Sequence, residues 1–397
     1  MRQLPFEYAF RNLGRNPVRL AASLLGAALV VLLILAAAGF VRGMQRTLGQ
    51  HATLHQNVII LGSGSEEAIE RSQIHAGTAT HAVAGIAGIK TAGGVPYVSP
   101  EIHIALPLRA SRQSKHELSA VLRGVTNAAY LVHSQVEITA GRVPVAGTEE
   151  LLVGALAATR LGVPDQQLAL GKTLYFDNRN WTIVGQFTAP NTVMDAEIWL
   201  PLIDLQIATK RQSSVSCVIV SLNHQTNAGP IGTFADVDLF AKSRLDLEIA
   251  AISESDYYAS LAVFYRPIRI MILLTASLIA LGGLFGGINT MYAAFAARVR
   301  EVGMLQSLGF TRRAIILSLT EESLFAAACG TLIGLSIGLL TLDGVAIRFS
   351  MGAFALILDA PVILIGIAGG LLVGLVGAIP PAICSLRLMI PEALKSF

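Results

Sequence analysis

Charge is scarce in this sequence. Only 14% of the 397 residues are Asp, Glu, Lys or Arg, whereas soluble proteins carry about 25%. Four long runs have no charged residue at all, which argues against an ordinary soluble domain. The net charge of +3 is small, and the arginines stand beside these runs without forming a broad basic patch, which argues against nucleic acid as a partner.

Cysteines and catalytic patterns are also scarce. Cys329 and Cys384 lie in apolar runs, and only Cys217 lies in the polar block between the first two runs, so this block cannot form an internal disulfide. His51 and His55 could share a metal on one helix face, but no third ligand is evident, and a pair of exposed histidines is the alternative. No Ser/His/Asp or paired-carboxylate pattern stands out. We expect no metal site, no directly bound cofactor and no enzymatic activity.

The four charge-free runs are each long enough to cross a membrane. Roughly 20 apolar residues in a helix span the core of a bilayer. The sequence therefore predicts a membrane α-helical protein with four transmembrane helices in a one-plus-three arrangement. A large extracytoplasmic α/β domain is inserted between helices 1 and 2. The runs are Leu20–Val41, Ile270–Ala297, Ser323–Leu342 and Ala360–Leu386.

The segment boundaries follow from these runs. A signal peptide is the alternative for the first run, but signal sequences have an apolar region of about 7–15 residues. This run is longer, so we expect a retained helix. The predicted segments are an amphipathic cytoplasmic-side helix over 1–18, spans over 19–42, 268–297, 314–341 and 360–386, an outer domain over 43–265 with a stalk over 255–268, a cytoplasmic loop over 298–313, a short outer loop over 342–359 and a cytoplasmic tail over 387–397.

Basic residues predict the orientation, because they are enriched on the cytoplasmic side of membrane helices. The N-terminus, the loop between the second and third spans, and the tail are all basic, and four crossings place them on one side. We therefore expect a protein of the bacterial inner membrane with both termini in the cytoplasm. The basic residues are Arg2, Arg11, Arg15, Arg19, Arg298, Arg300, Arg312, Arg313, Arg387 and Lys395.

The outer domain has a mixed α/β pattern. Strands are predicted at Asn57–Leu61, Glu150–Val153 and Ser214–Leu222, a short helix at Ala155–Leu161 and a hairpin at Asp177-Asn178. One face of the last strand is expected to hold Val215, Cys217 and Ile219.

Two further segments of this domain have local signals. Ser253 with Asp256 resembles a capping box and predicts a helix towards the second span, with a kink at Pro267. Gly171-Lys172-Thr173 is similar to the end of a phosphate-binding loop, but the glycine required five residues earlier is Gln166. We therefore interpret this segment as a turn before a strand.

The segment Arg298–Arg313 is the most distinctive part of the chain. Apolar residues recur in it at helical spacing: Val302, Leu305 and Leu308. Gly309 can end this helix, and Thr311 can cap the next one. The pattern predicts a short cytoplasmic helix between two spans. An interfacial turn with snorkelling arginines is the alternative.

This segment resembles the signature of the FtsX-like, MacB-type permeases, the membrane subunits of type VII ABC transporters. That family has a basic, Glu-Ile-Gly-like start, then Leu-x-x-x-Gly, then an Arg before the third span. The match comprises Arg300, Glu301, Val302 in place of the commoner Ile, Gly303, Leu305, Gly309 and Arg312. Further stretches that resemble the family are Phe10–Leu13 with Arg15–Pro17, Gly141–Gly147, Glu150–Val153, Ala158–Leu161, Ile183–Gly185, and Pro380 with Pro391–Leu394.

The resemblance implies a division of labour between subunits. A separate ABC ATPase would bind ATP and Mg, and two permeases and two ATPases would assemble. The segment Glu301–Gly309 would dock on the ATPase as a coupling helix, and motion would reach the outer domain through the stalk. The residues implied in coupling are Arg300, Glu301, Val302, Gly303, Met304, Leu305, Leu308, Gly309, Arg312 and Arg313.

Glycines and carboxylates within the predicted spans leave alternatives open. Glycines four apart suit either a contact between two copies or packing within one chain; they are Gly282, Gly283, Gly286 and Gly287 on the second span, and Gly330, Gly334 and Gly338 on the third. Glu321 and Glu322 either lie inside the third span and pair with Arg298, Arg312 or Arg313, or precede the span near the head groups. Our hypothesis is that Glu321 stabilises the coupling loop.

Three functions fit this architecture. The first is a permease for export or extraction of a lipid, lipoprotein, peptide or drug-like substrate, with membrane lipid and a periplasmic adaptor or carrier protein as further partners. The second is an FtsX-like signal relay that controls a cell-wall hydrolase or another outer partner. The third is a membrane-anchored receptor without an ATPase. The coupling-helix resemblance argues against the third, and the large outer domain favours transport, with residues 62–140 expected to decide the substrate.

Overall fold

The structure, a computed structural model, describes residues 17–49, 57–114, 116–224, 230–296, 298–349 and 352–385. The chain divides into two units. The first comprises the described parts of Met1–Arg42, Pro267–Val345 and Ala355–Phe397, and the second those of Gly43–Arg266 and Ala346–Phe354. Most of the expected N-terminal amphipathic helix, the His51 and His55 pair and the tail over 387–397 lie outside the described residues.

Eleven α-helices occur in the described residues. They are α1 (Pro17–Gly49), α2 (Thr78–Gly85), α3 (Ala129–Val132), α4 (Ala157–Leu161), α5 (Leu202–Ala208), α6 (Phe234–Ser243), α7 (Glu254–Phe264), α8 (Arg266–Ala296), α9 (Val299–Ser307), α10 (Arg312–Thr341) and α11 (Ala360–Ser385).

Sixteen strands occur in the same residues. They are β1 (Asn57–Gly62), β2 (Ile74–His75), β3 (Thr91–Ala92), β4 (Val95–Pro96), β5 (Val98–Leu108), β6 (Leu118–Val125), β7 (Glu137–Gly141), β8 (Glu150–Gly154), β9 (Thr173–Phe176), β10 (Arg179–Thr188), β11 (Ile198–Pro201), β12 (Ser214–Val215), β13 (Cys217–Ser221), β14 (Ile249–Ser253), β15 (Ala346–Phe349) and β16 (Gly352–Ala355).

A ten-stranded mixed sheet forms the centre of the second unit. Its order is β14-β1-β13-β5-β6-β11-β8-β10-β7, and β9 pairs with β10. Val58 and Ile60 of β1 pack in one apolar cluster, whereas Ile59 and Leu61 pack in another. Because successive side chains of a strand point to opposite faces, this part of the sheet is buried on both faces.

The turn between β9 and β10 is the hairpin predicted at Asp177-Asn178. These two residues have positive φ angles of 48° and 58°. Two-residue hairpins favour such angles at both central positions, and Asp and Asn tolerate them. Phe176 and Trp181 then stack across the hairpin with ring centroids 4.6 Å apart.

The single strand predicted over Ser214–Leu222 is divided at Ser216. Its first part, β12, pairs with β2, and its second part, β13, pairs with β1 and β5. Val215 packs in a different cluster from Cys217 and Ile219, so the prediction that the three share one face is wrong. The side chain of Ser216 forms hydrogen bonds with the backbone of β5. Its Oγ donates to His103 O (3.2 Å) and accepts from His103 N–H (3.1 Å).

Four helices are long and apolar enough to cross a membrane, judged by length and composition. These segments are Leu20–Leu48, Arg266–Ala293, Arg312–Thr341 and Ala360–Ile383, and they overlap the four charge-free runs. In the first unit, the α10 glycines face α1: a Cβ on Gly334 would lie 2.5 Å from Ala28 O, and one on Gly338 would lie 2.8 Å from Leu35 Cδ1. This row of glycines therefore serves packing within the chain.

The predicted stalk is not one continuous helix. Ser253 Oγ accepts the Asp256 N–H at 3.0 Å and caps α7, as the sequence indicates. However, α7 ends at Phe264 and α8 begins at Arg266. Pro267 has no N–H to donate to the carbonyl four residues earlier, and proline is favoured in the first turn of a helix, so a new helix starts here.

The segment predicted as a short outer loop over 342–359 contains the strands β15 and β16, which pair with each other. Residues 346–354 of this hairpin belong to the second unit. Phe354 lies edge-on to Tyr265 there, with ring centroids 6.2 Å apart.

Candidate functional site

Helix α9 ends in a Schellman motif. Gly309 has a φ of 89°; its N–H donates to Gln306 O, and the Phe310 N–H donates to Leu305 O, both at 3.1 Å. This pattern satisfies the last carbonyls of the helix and favours glycine in the left-handed conformation. Thr311 then caps α10, with its Oγ1 accepting the Ala314 N–H at 3.3 Å. The sequence predicts both the helix end and the cap.

One face of α9 is buried. Val302 is only 6% exposed, and Leu305 is partly buried beside it. The cluster that receives them comes from α8, α10 and α11 and consists of Met291, Phe295, Ile315, Leu319 and Ala382, with Phe310 and Ile316 at its border. A displacement of α9 is therefore resisted by side chains from three long helices.

The opposite face of α9 is exposed and combines apolar with basic side chains. Met304 and Leu308 are 46% and 66% exposed, and Arg300 lies four residues before Met304 on the same face. Leu308 does not lie on the buried face with Val302. Six residues separate the two, and they turn the helix about 120° short of two full turns. The remaining exposed basic residues next to this face are Arg312 and Arg313.

An ion pair fastens the start of α9 to α10. Arg298 NH1 donates to Glu322 Oε2 at 2.8 Å, and the two side chains are 12% and 4% exposed. Of the two carboxylates, Glu322 thus has a basic partner, which is one of the arrangements left open by the sequence. Glu321 is half-buried, and this ion pair does not involve it; that Glu321 stabilises the coupling loop stays a prediction.

The four glycines of α8 have unlike surroundings. A Cβ on Gly283 would collide with Val30 of α1, whereas a Cβ on Gly282, Gly286 or Gly287 would meet no heavy atom within 4 Å. Gly283 therefore makes a packing contact within the chain. Gly282 and Gly286 are four apart and leave a strip of α8 uncovered.

The second unit contains a buried ionic cluster that sequence reasoning missed. Arg123 of β6 donates to Glu197 (2.6 and 2.9 Å) and to Glu101 of β5 (2.7 Å). The Nε2 atoms of His133 and His103 lie 2.8 and 3.2 Å from Glu101. All five residues are at most 7% exposed. Pairing of β5 with β6 and of β6 with β11 brings these residues together. Their spacing in the sequence does not predict the cluster.

The cluster is ionic and structural in character. Burial raises the pKa of Glu197, but Arg123 more than offsets this and lowers it to about 2. Burial likewise raises the pKa of Glu101, and His133 and Arg123 bring it well below its ordinary value. Ligand atoms of Glu101, His103 and Cys217 lie within 4.8 Å of one another, but the bonded Arg123 repels a cation, and burial raises the pKa of the Cys217 thiol.

The pH dependence of stability tests this cluster. The pKa of Glu197 in the folded chain lies below the ordinary 4.5, so its stabilisation is full above about pH 4.5 and is lost as the pH falls towards 2. We expect acid unfolding of the full chain in detergent, followed by tryptophan fluorescence, to become flatter in this window in Glu197→Gln. Glu117→Gln removes an exposed carboxylate and is expected to keep the wild-type profile; equal profiles for both variants would contradict the assignment.

The ion pair of α9 can be tested with two adjacent carboxylates. Glu322→Gln leaves Arg298 without its counter-charge, and we expect a loss of up to about 3 kcal/mol in stability. Glu321→Gln makes the same chemical change one residue away and is expected to cost within about 0.5 kcal/mol. Thermal unfolding in detergent measures both, and an equal loss would rule out a specific role of Glu322.

The packing of α8 can be tested with a pair of neighbouring glycines. Gly283→Val places a side chain against Val30, and overpacking of this kind costs about 1–3 kcal/mol. Gly282→Val enters open space and is expected to leave the thermal unfolding of the single chain unchanged. If Gly283→Val unfolds at the wild-type temperature, the contact between α8 and α1 is not formed as described.

Comparisons with known proteins bear on both units. The profile of the MacB-like periplasmic core domain matches residues 20–231, and that of the FtsX-like permease C-terminal region matches residues 271–390. The chain is 23% identical over 354 residues to the uncharacterized ABC transporter permease YknZ of Bacillus subtilis, covering 83% of each protein.

Two further relatives belong to MacB proteins. The chain is 28% identical over 127 residues to the macrolide export ATP-binding/permease protein MacB of Bdellovibrio bacteriovorus, which is 31% of this chain and 19% of that protein. The crystal structure of the periplasmic region of MacB from Actinobacillus actinomycetemcomitans aligns with a TM-score of 0.39 at 12% identity, covering 55% of this chain and 95% of that one.

The core-domain profile covers more than half of the chain, and the FtsX-like profile covers the segment that holds α9. The chain belongs to the FtsX-like, MacB-type family of ABC transporter permeases.

Proposed function

We propose that this chain is the permease subunit of an ABC transporter and passes the motion of a separate ATPase to its α/β unit. The observation that carries the proposal is α9, with one face packed on three long helices and the other face exposed. Met304 and Leu308 form an apolar pair on the exposed face, and Arg300 borders it. An apolar centre with a charged rim is the usual composition of a protein interface.

The motion would pass from α9 to the long helices. Val302 and the ion pair between Arg298 and Glu322 connect α9 to α8 and α10. A displacement of α9 by a partner would therefore also move these two helices. At its other end α8 continues into α7 across Tyr265. The interruption at this residue supplies a point at which the two helices can change their angle.

The ATPase would be supplied by a partner. The segment nearest to a nucleotide-binding loop in this sequence, Gly171-Lys172-Thr173, lacks the required first glycine, and Gly171 has a φ of 78° in a turn before β9. ATP and Mg would therefore be bound by the ATPase chain. The MacB relative is described as an ATP-binding and permease protein, which supports the same pairing of functions.

The proposed membrane arrangement uses four spans, one before and three after the α/β unit. Basic residues place both termini and α9 in the cytoplasm and the α/β unit outside the inner membrane of a bacterium. The uncovered strip of Gly282 and Gly286 on α8 would meet a second permease copy, since small residues allow close approach of helices in lipid.

Transport is the function favoured for the assembly. YknZ is described as an ABC transporter permease, which supports transport, and MacB as a macrolide export protein, which supports export of a drug-like substrate. We keep export or extraction of a lipid, lipoprotein or peptide in the proposal as well. A periplasmic adaptor or carrier protein remains a further expected partner. We propose the transport role ahead of a signal relay.

The exposed face of α9 supplies the test of coupling. We expect Met304→Asp and Leu308→Asp to lower the ATPase activity of the co-purified complex about tenfold or more, because a charge enters an apolar contact. Both side chains are exposed, so folding of the permease should be unaffected. Leu245→Asp introduces the same charge at an exposed leucine of the α/β unit (83% exposed) and serves as the control.

The readouts are ATP hydrolysis and co-purification of the ATPase, with thermal unfolding as a check on the permease. Wild-type hydrolysis and recovery of the ATPase in both α9 variants would refute docking on this face. A loss that also appears in Leu245→Asp would show that the effect does not depend on α9.

A further inference from the structure

A narrow pocket in the second unit contains a buried cation that forms no ion pair among the described residues. Arg160 of α4 lines this pocket and is 6% exposed. Its Nε is buried and makes no hydrogen bond, and burial lowers the pKa of the guanidinium group. A buried charge without a partner is unfavourable for folding. The charges of Glu197 and Glu70 offset only part of this cost for Arg160, since the pKa of its guanidinium group remains lowered.

Arg123 lines the same pocket, but its guanidinium group is hydrogen-bonded. Its three nitrogens donate to Glu101 and Glu197, and Trp199 Nε1 also donates to Glu197. The carboxylates of Glu101 and Glu197 are thus already hydrogen-bonded to Arg123. Glu70 lines the pocket too. The charges of Glu70 and Glu197 act favourably on Arg160 without forming an ion pair with it, whereas the charge of Arg348 repels it.

The rest of the lining is apolar and aromatic. It includes Leu48, Tyr257, Tyr258, Tyr265 and Phe354, with His103 as a further polar residue. Three of these residues stand near long apolar helices in the sequence: Leu48 is part of α1, Tyr265 directly precedes α8, and Phe354 stands six residues before α11. A ligand that satisfies both parts of this lining has an acidic group joined to an apolar body.

We propose that this pocket binds the acidic group of an amphiphile, with a carboxylate or phosphate on the guanidinium of Arg160 and the adjoining hydrocarbon against Tyr257, Tyr265 and Phe354. Charge-assisted hydrogen bonds to a carboxylate or phosphate suit arginine well. The ligand is either a free single-chain amphiphile or an anionic membrane lipid, since both present this chemistry. The inference extends the proposed function to a substrate class, but ligand binding here does not require the ATPase.

The test is native mass spectrometry of the full chain released from a neutral detergent. The probes are 1-oleoyl-lysophosphatidate and 1-oleoylglycerol, which differ only by the phosphate. We expect the wild type to prefer the phosphate-bearing probe by about tenfold or more, the effect of a hydrogen bond to a charged group. Dioleoyl phosphatidate is the third probe: its binding indicates a membrane lipid as the source, and its exclusion a single-chain amphiphile.

Three variants complete the design. Arg160→Met keeps the apolar stem and removes the charge, and it is expected to abolish the preference, whereas Arg160→Lys keeps part of it. Glu70→Gln removes a negative charge from the pocket and is expected to strengthen anion binding. Arg112→Gln removes an exposed arginine of the same unit outside the pocket and is expected to bind like the wild type.

Stability separates binding from a purely structural role. Without probe, Arg160→Met is expected to unfold at the wild-type temperature or above it, because the removed charge is buried and only partly compensated. The proposal is overturned if the wild type binds the two oleoyl probes equally, or if Arg160→Met keeps the preference. Since no ATPase is present, either result leaves the docking of α9 to be judged by its own hydrolysis assay.

Discussion

Close approach of helix backbones is the constraint on which the first unit depends. Gly330, Gly334 and Gly338 bring α10 against α1 with no room for side chains between them. Apolar helices in lipid gain little from the hydrophobic effect, so packing and interhelical hydrogen bonds determine their association. Ser323 adds such a bond by donating to Gly374 O of α11 at 2.9 Å. The ends of these helices form the surface on which α9 lies, so its position follows from contacts made elsewhere in the unit.

Two ion pairs hold the more buried charges of this unit. Arg42 of α1 pairs with Asp359 at 2.7 Å, and Arg298 pairs with Glu322 at 2.8 Å. Each pair joins segments far apart in sequence and leaves the intervening helices apolar. For a protein that spans a bilayer, this arrangement limits the cost of desolvating charge. It also explains how α9 is held firmly on one face while the other face is left exposed for a partner.

The second unit contains two buried arginines in contrasting states. Arg123 is surrounded by carboxylates that lower the cost of its burial, and it orders the centre of the sheet. Arg160 lines the same pocket without such partners. Since proteins rarely leave a buried charge unpaired, the bonded Arg123 has a structural role, and the unbonded Arg160 is the residue on which the proposed ligand site rests.

Features that depend on neighbouring residues could be predicted from the sequence, whereas contacts between distant residues could not. Four charge-free runs, the turn at Asp177-Asn178, the cap at Ser253 and the helix end at Gly309 each depend on neighbouring residues, so the sequence by itself determined them, along with the resemblance of the Arg298–Arg313 segment to its family. Only the tertiary structure decided four other features: the partner of Glu322, the surroundings of Gly283, the break at Ser216 and the contact of Glu101 with Arg123. The physical reason is that burial and charge pairing depend on which elements meet in space. Residues as far apart as Arg42 and Asp359, separated by 317 positions, are brought into contact only when the whole chain folds.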